Sequence, residues 1–243
     1  MISKNTIVSS FLTNVNSIYP VEKYLKDGII MLQAKIPKII FIEDNLYEQV
    51  KIYINEHTII IPIKKSDWYF KDYKESIINF DLNTNNKTKD TLDFIFTMCN
   101  KTEWIKKATE LNYFNTDSFT WIDFGIRYIF KNDSDETFIQ KIENLNNKVY
   151  DNVRIASIWN LNKKYNYDIY KDIHWYFAGG VFGGNKDKLI VFADKTKEMC
   201  LQVIEEKKTL IWEVNIWYLV YLKNPELFFA YPADHNASII VNY

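Results

Sequence analysis

The stretch WYFAGGVFGG, residues 175–184, holds four of the six glycines in a 243-residue chain. Glycine loses more backbone entropy on folding than any other residue and packs nothing, so such a cluster marks tight turns or a backbone that something approaches closely. Read as a dinucleotide fingerprint with Ala178 in place of the first glycine, it requires a helix opening at Gly180 and belongs at the start of a two-halved sheet. Here it comes late, with too little chain after it to complete that sheet, and no Gly-Lys-Ser/Thr follows to make a phosphate loop. Two readings remain: a pair of tight turns at a sheet edge, or a backbone wall beside a bound polar ligand where any Cβ would clash.

Outward from this stretch, strand-like and helix-like pieces alternate. TIVSSFL (6–12), KIIFIED (38–44), residues 50–62 and VRIASIW (153–159) are rich in β-branched residues and read as strands. Apolar spacing predicts helices after Pro20, over 91–112 with Asp90 as N-cap, over 186–208 and over LIWEVNIWYLVYL (210–222). FTWIDFGIRYIF (119–130) reads as a strand interrupted by an Asp-x-Gly turn, and ELFFAYP and ASIIVNY as terminal strands. The alternation specifies an α/β fold with a mostly parallel central sheet flanked by helices. The polar patches DLNTNNKTK and KNDSDETF are too short to be domain linkers, so residues 1–243 read as a single domain.

Hydrophobic residues make up 47% of the chain and aromatics 16%, enough for a sizeable core. A net charge of −1 leaves no basic footprint for nucleic acid or an anionic membrane surface. Cys99 and Cys200 lie in helix-like runs without metal-ligand spacing, and a reducing compartment is the simpler expectation. The N-terminus lacks the charged-then-apolar pattern of a secretory signal. LIWEVNIWYLVYL carries Glu213 and Asn215 and is too short and polar to cross a bilayer, so no transmembrane segment is expected.

Several residues stand out against this background. Asp123 sits inside an apolar strand, where a carboxylate must be paired, cap a turn or hold a cation. Glu213 lies among Ile211, Trp212 and Val214, either on the polar stripe of a helix or pointing into a cleft. Asp234-His235 combines a carboxylate with an imidazole, a pair that suits a divalent metal or plain solvated surface. Lys101, Lys106 and Lys107 could reach a phosphate, although helix lysines are ordinarily solvated.

The order of these pieces is more specific than any one of them. TIVSSFL, IPKIIFIED, NKTEWIKKATELNYFNTDSFTWIDFGI, WYFAGGVFGG, WEVNIW and NPELFFAYPADH follow one another through nearly the whole chain. In this the sequence resembles the WlaTC/HtrL (YibB-like) family of glycosyltransferases. The resemblance implies a GT-A-like domain that binds a nucleotide sugar, with Mn²⁺ or Mg²⁺ as cofactor, and transfers the sugar to a glycan or other hydroxyl acceptor, acting in the cytoplasm. It implies that Lys101 and Asp123 face the nucleotide, that Asp123 and His235 ligate the metal, and that Trp175, Gly179 and Gly180 wall the donor and acceptor. Trp175, Tyr176 and Phe182 then offer flat faces to a sugar ring. In an inverting reaction Glu213 is the carboxylate that deprotonates the acceptor, and in a retaining one it only binds the acceptor. The family's Asp-x-Asp is here Asp-Phe-Gly, lacking the last acid. Two other readings compete: a non-catalytic carbohydrate-binding protein, and an NAD-type oxidoreductase with a strand before Ala178 and Asp194 or Glu198 on the ribose.

Overall fold

In the computed structural model, which describes residues 4–13 and 20–243, one seven-stranded sheet runs through the molecule. Its strands are β1 (Asn5–Phe11), β2 (Lys38–Glu43), β3 (Thr58–Ile63), β4 (Ser118–Ile122), β5 (Val153–Ser157), β6 (Phe177–Asn185) and β7 (Phe228–Pro232), in the order β3-β2-β1-β4-β6-β5-β7. β6 runs antiparallel to both of its neighbours, and the other pairings are parallel. The helices are α1 (Val21–Leu32), α2 (Tyr47–Val50), α3 (Leu92–Cys99), α4 (Lys101–Leu111), α5 (Asp135–Glu143), α6 (Lys186–Lys207), α7 (Glu213–Lys223) and α8 (Ser238–Val241). The α/β fold with a mostly parallel central sheet flanked by helices is what the sequence pattern specifies.

The inner strands are apolar on both faces because both faces are covered. Period-two alternation sends Val8, Ile39, Phe41, Phe119 and Trp121 into one core, with Trp104, Phe192, Ile216 and Trp217 from α4, α6 and α7. Ile7, Ile40, Ile42 and Ile122 go to the other, with Leu25 and Met31 from α1 and Phe138 from α5. Full burial of each such side chain contributes roughly 1.5–3 kcal/mol.

Local structure departs from the sequence reading at several points. The glycine stretch is an internal strand, not a pair of edge turns. Two steps along β5, from Ile155 to Ser157, correspond to five along β6, from Phe182 back to Phe177, so β6 carries a bulge that includes Gly179 and Gly180. The helix after it opens at Lys186, not Gly180, and Ala178 lies within the strand, which removes the dinucleotide fingerprint. The predicted helix over 91–112 breaks at Asn100, whose side-chain carbonyl accepts from Tyr69 N and whose amide donates to Phe96 O. Its N-cap is Thr91, one residue after Asp90. The strand of 119–130 ends at Ile122, and residues 50–62 begin as helical turns before β3. ASIIVNY forms the short helix α8 rather than a strand, with Ile239 and Ile240 buried. Among the described residues no helix is long and apolar enough to cross a membrane.

Candidate active site

From β1 the sheet grows to one side through β2 and β3, and then to the other through β4. In open α/β sheets the crevice beyond the carboxyl ends of strands at such a reversal is where ligands bind. Here that crevice lies past Phe11 of β1 and Ile122 of β4, and Asp123 is the first residue after β4.

Three elements bring their charged residues together at this place. Lys101 is the first residue of α4, Glu213 the first of α7, and Asp123 opens a turn closed by the hydrogen bond from Ile126 N to Asp123 O. The Lys101 ammonium lies 3.0 Å from Asp123 Oδ1 and 3.0 Å from Glu213 Oε1, and donates to Gly179 O at 3.1 Å. Trp121 Nε1 donates to Asp123 Oδ1 at 2.8 Å and fixes the carboxylate from behind. Only 4% of the Lys101 side chain is exposed, against 38% for Asp123. Burial alone would pull the Lys101 pKa down; the charges and hydrogen bonds of Asp123 and Glu213 outweigh it, and the net shift is upward. The lysine is therefore a charged bridge between two carboxylates, not the solvated helix lysine of the ordinary case.

The glycine pair belongs to this cluster. A Cβ on Gly179 would overlap Glu213 Oε1, so a side chain there would push the carboxylate off its place against Lys101. Both carbonyls of the pair hold this cluster: Gly179 O receives Lys101, and Gly180 O receives the backbone N–H of Asp123 at 2.9 Å. Gly183 is small for another reason, since a Cβ there would strike Tyr243 and the backbone of β4.

The crevice has two joined chambers. One of about 370 Å³ is lined by Phe11, Tyr24, Phe94, Trp121, Phe124 and Tyr128. Phe11 and Phe124 stack there at 5.4 Å between ring centroids. The other, about 490 Å³, is lined by the amide-bearing loop Asn83, Asn85 and Asn86, by Trp212, and by Lys101, Asp123, Trp175, Gly179, Gly180, Glu213 and His235. Lys101, Asp123, Trp175, Gly179, Gly180, Glu213 and His235, all singled out in the sequence, thus face one chamber, and Lys101 and Asp123 line both.

Other expectations are corrected. Tyr176 and Phe182 offer no face to a ligand: Tyr176 stacks on Tyr218 at 3.6 Å, and Phe182 packs in the core against Trp121 and Trp217. α7 has no polar stripe, since Val214, Ile216, Trp217 and Val220 are buried along with Glu213. Lys106 pairs with Asp194 at 2.6 Å, and Lys107 lies over the Phe41 and Trp104 rings. The aromatic chamber went unread in the sequence because its rings come from separated segments. The amide loop was visible only as a polar patch.

The residues do not fit a protein-held divalent metal. Asp123 carries the Lys101 ammonium and the Trp121 N–H. His235 stands edge-on to Trp175 at 4.3 Å. Among the described residues no group of three His, Cys, Asp or Glu side chains is gathered closely enough to hold a metal ion.

No family model matches the chain, and no curated protein matches it in sequence. Among solved structures, it is similar to 4-diphosphocytidyl-2C-methyl-D-erythritol synthase from Anaerococcus prevotii, at 6% identity and a TM-score of 0.44 over 99% of this chain and 94% of that one. A likeness this loose carries no functional argument.

Proposed function

We propose that the protein is a glycosyltransferase that takes a nucleotide sugar as donor. The observation that carries the reading is the pair of joined chambers at the strand-order reversal, one aromatic and one polar, with a charged cluster where they meet. The aromatic chamber suits a nucleobase, which stacks on flat rings. The polar chamber suits a sugar, with Trp175 for its apolar face and the Asn83–Asn86 loop for its hydroxyls. Between them Asp123, fixed by Trp121, accepts hydroxyl groups of ribose or sugar. Glu213 lines the sugar chamber and is the candidate to take the acceptor's proton. The resemblance of the sequence to the WlaTC/HtrL family points the same way and implies a glycan acceptor. No step here is routed through a metal.

A second reading is favoured by the charge of the cluster. One ammonium against two carboxylates leaves it negative, which suits a neutral glycan better than a phosphate. On that reading the protein binds carbohydrate without turnover.

Thermal-shift titration with UDP, GDP, CMP and dTDP, with their sugar conjugates and with free glycans, separates the two. A ligand that binds only the folded state raises the midpoint by mass action. The transferase reading expects a shift for one nucleotide family, a larger shift for its sugar conjugate, and slow release of free nucleotide on incubation. A response to glycans alone, with no nucleotide released, overturns it in favour of the binding protein.

A further inference from the structure

The Lys101 ammonium is enclosed as a metal ion would be. Four oxygens from three elements converge on it: both carboxylate oxygens of Asp123 from the turn after β4, with Oδ2 accepting the hydrogen bond, Glu213 Oε1 from the start of α7, and Gly179 O from the bulge of β6. Distances of 3.0–3.2 Å are those of N–H···O bonds. Divalent cations sit closer to oxygen, at about 2.0–2.6 Å. An ammonium has three donors and no acceptor, and here each donor has an oxygen to meet. With the ammonium removed, the same position would hold two carboxylates and a carbonyl, the hard oxygen donors that Mn²⁺, Mg²⁺ and Ca²⁺ prefer.

We propose that Lys101 supplies the resident cation of this oxygen cage, holding the place a divalent metal would otherwise take, so that the native protein binds no divalent cation there. The cage also gives the Asp-Phe-Gly departure from Asp-x-Asp a physical sense. One internal cation already serves both Asp123 and Glu213, and a further acid beside Asp123 would add a third negative charge with no counter-charge. The arrangement is built by the fold itself: Gly179 lacks a Cβ where one would overlap Glu213, and its carbonyl accepts from the lysine. The cage is complete without any ligand, so its test needs none and is independent of what the cleft binds.

The test compares the full-length wild type, Lys101→Ala and the double variant Lys101→Ala/Glu213→Gln by thermal unfolding, in EDTA and in MnCl₂. The wild-type midpoint should be the same in both. Lys101→Ala should melt well below wild type in EDTA and recover several degrees in MnCl₂. The double variant, relieved of one carboxylate charge, should melt higher than the single variant in EDTA and respond less to Mn²⁺. A wild-type midpoint that rises in MnCl₂, with the rise lost in Asp123→Asn, would overturn the proposal. So would a folded Lys101→Ala protein indifferent to Mn²⁺. If Lys101→Ala does not accumulate, Mn²⁺ electron paramagnetic resonance on wild type decides: an undiminished free-ion signal supports the cage, and a loss of signal that Asp123→Asn abolishes refutes it.

Discussion

At the scale of single residues, adjacent glycines in the bulge do different work. A methyl on Gly179 would press into Glu213 Oε1 and crowd the Lys101 ammonium, whereas a methyl on Gly180 would meet Ile126, Ile239 and Asp123 at 3.5–3.8 Å, ordinary contact distances. Gly179→Ala should therefore destabilise the protein by about 1–3 kcal/mol, the usual cost of forcing extra volume into a packed site. Gly180→Ala should stay within about 0.5 kcal/mol of wild type, as an unstrained substitution does. Urea denaturation of the two variants checks the contrast, and equal losses would mean that the bulge, rather than the Glu213–Lys101 pair, sets the requirement. Asp123 and Glu213 were visible in the sequence because a carboxylate in an apolar run needs an explanation. The burial of Lys101 was not, because its partners lie 22 and 112 residues away and only the fold brings them together.

At the scale of elements, α7 anchors the segment between β5 and β6. Asn215 accepts from His174 N at 2.8 Å and donates to Ile169 O and Asp172 O, each at 2.7 Å. This draws His174 into a nest of rings formed by Trp159, Tyr167 and Tyr176, where neither imidazole nitrogen has a hydrogen-bond partner among the described residues. Burial lowers the His174 pKa, and the charges of Asp172 and Asp168 only partly oppose it. The sign follows: the unfolded chain protonates at the ordinary histidine pKa of about 6.5 while the folded protein still resists, so stability falls as pH drops through and below that value. One histidine contributes no more than about 1.4 kcal/mol per pH unit. His174→Phe should flatten the loss of stability between neutral and mildly acidic pH. It should leave behind the share from His235, whose pKa burial also lowers. Denaturation midpoints across that range measure it, and an unchanged slope would show that the ring is protonated in place. Strand and helix existence was largely legible at this scale, since period-two and period-3.6 patterns report burial directly. What misled was glycine. Its usual meaning is a turn, but in β6 the neighbours of Gly179 and Gly183 demand a missing side chain. ASIIVNY misled as well: its β-branched run satisfies a buried helical turn equally well.

At the scale of the whole molecule, the strand order decides where function sits. The reversal between β1 and β4 opens the crevice, and antiparallel β6 brings Gly179 and Gly180 to its lining from the other side of β4. The two chambers are thus lined from opposite halves of the sheet: Phe11 and Phe124 border the aromatic one, and Trp175 and Glu213 the polar one. If a nucleotide sugar spans them, substitutions in each half should separate its two parts. Phe124→Ala removes one ring of the stack, worth about 0.5–1.5 kcal/mol, and should weaken the bare nucleotide and its sugar conjugate alike, by about 2- to 10-fold. Trp175→Ala should leave the bare nucleotide unchanged and remove most of the extra affinity conferred by the sugar. Phe124 also packs against Gly28, so its variant needs a thermal-unfolding control: a midpoint close to wild type assigns the lost affinity to the missing ring, and a large drop assigns it to a loosened fold. Isothermal titration of both ligands against both variants gives the ratio of conjugate to bare-nucleotide affinity directly. A ratio altered by Phe124→Ala and untouched by Trp175→Ala would reverse the assignment of the chambers, and with it the direction in which donor and acceptor lie across the sheet.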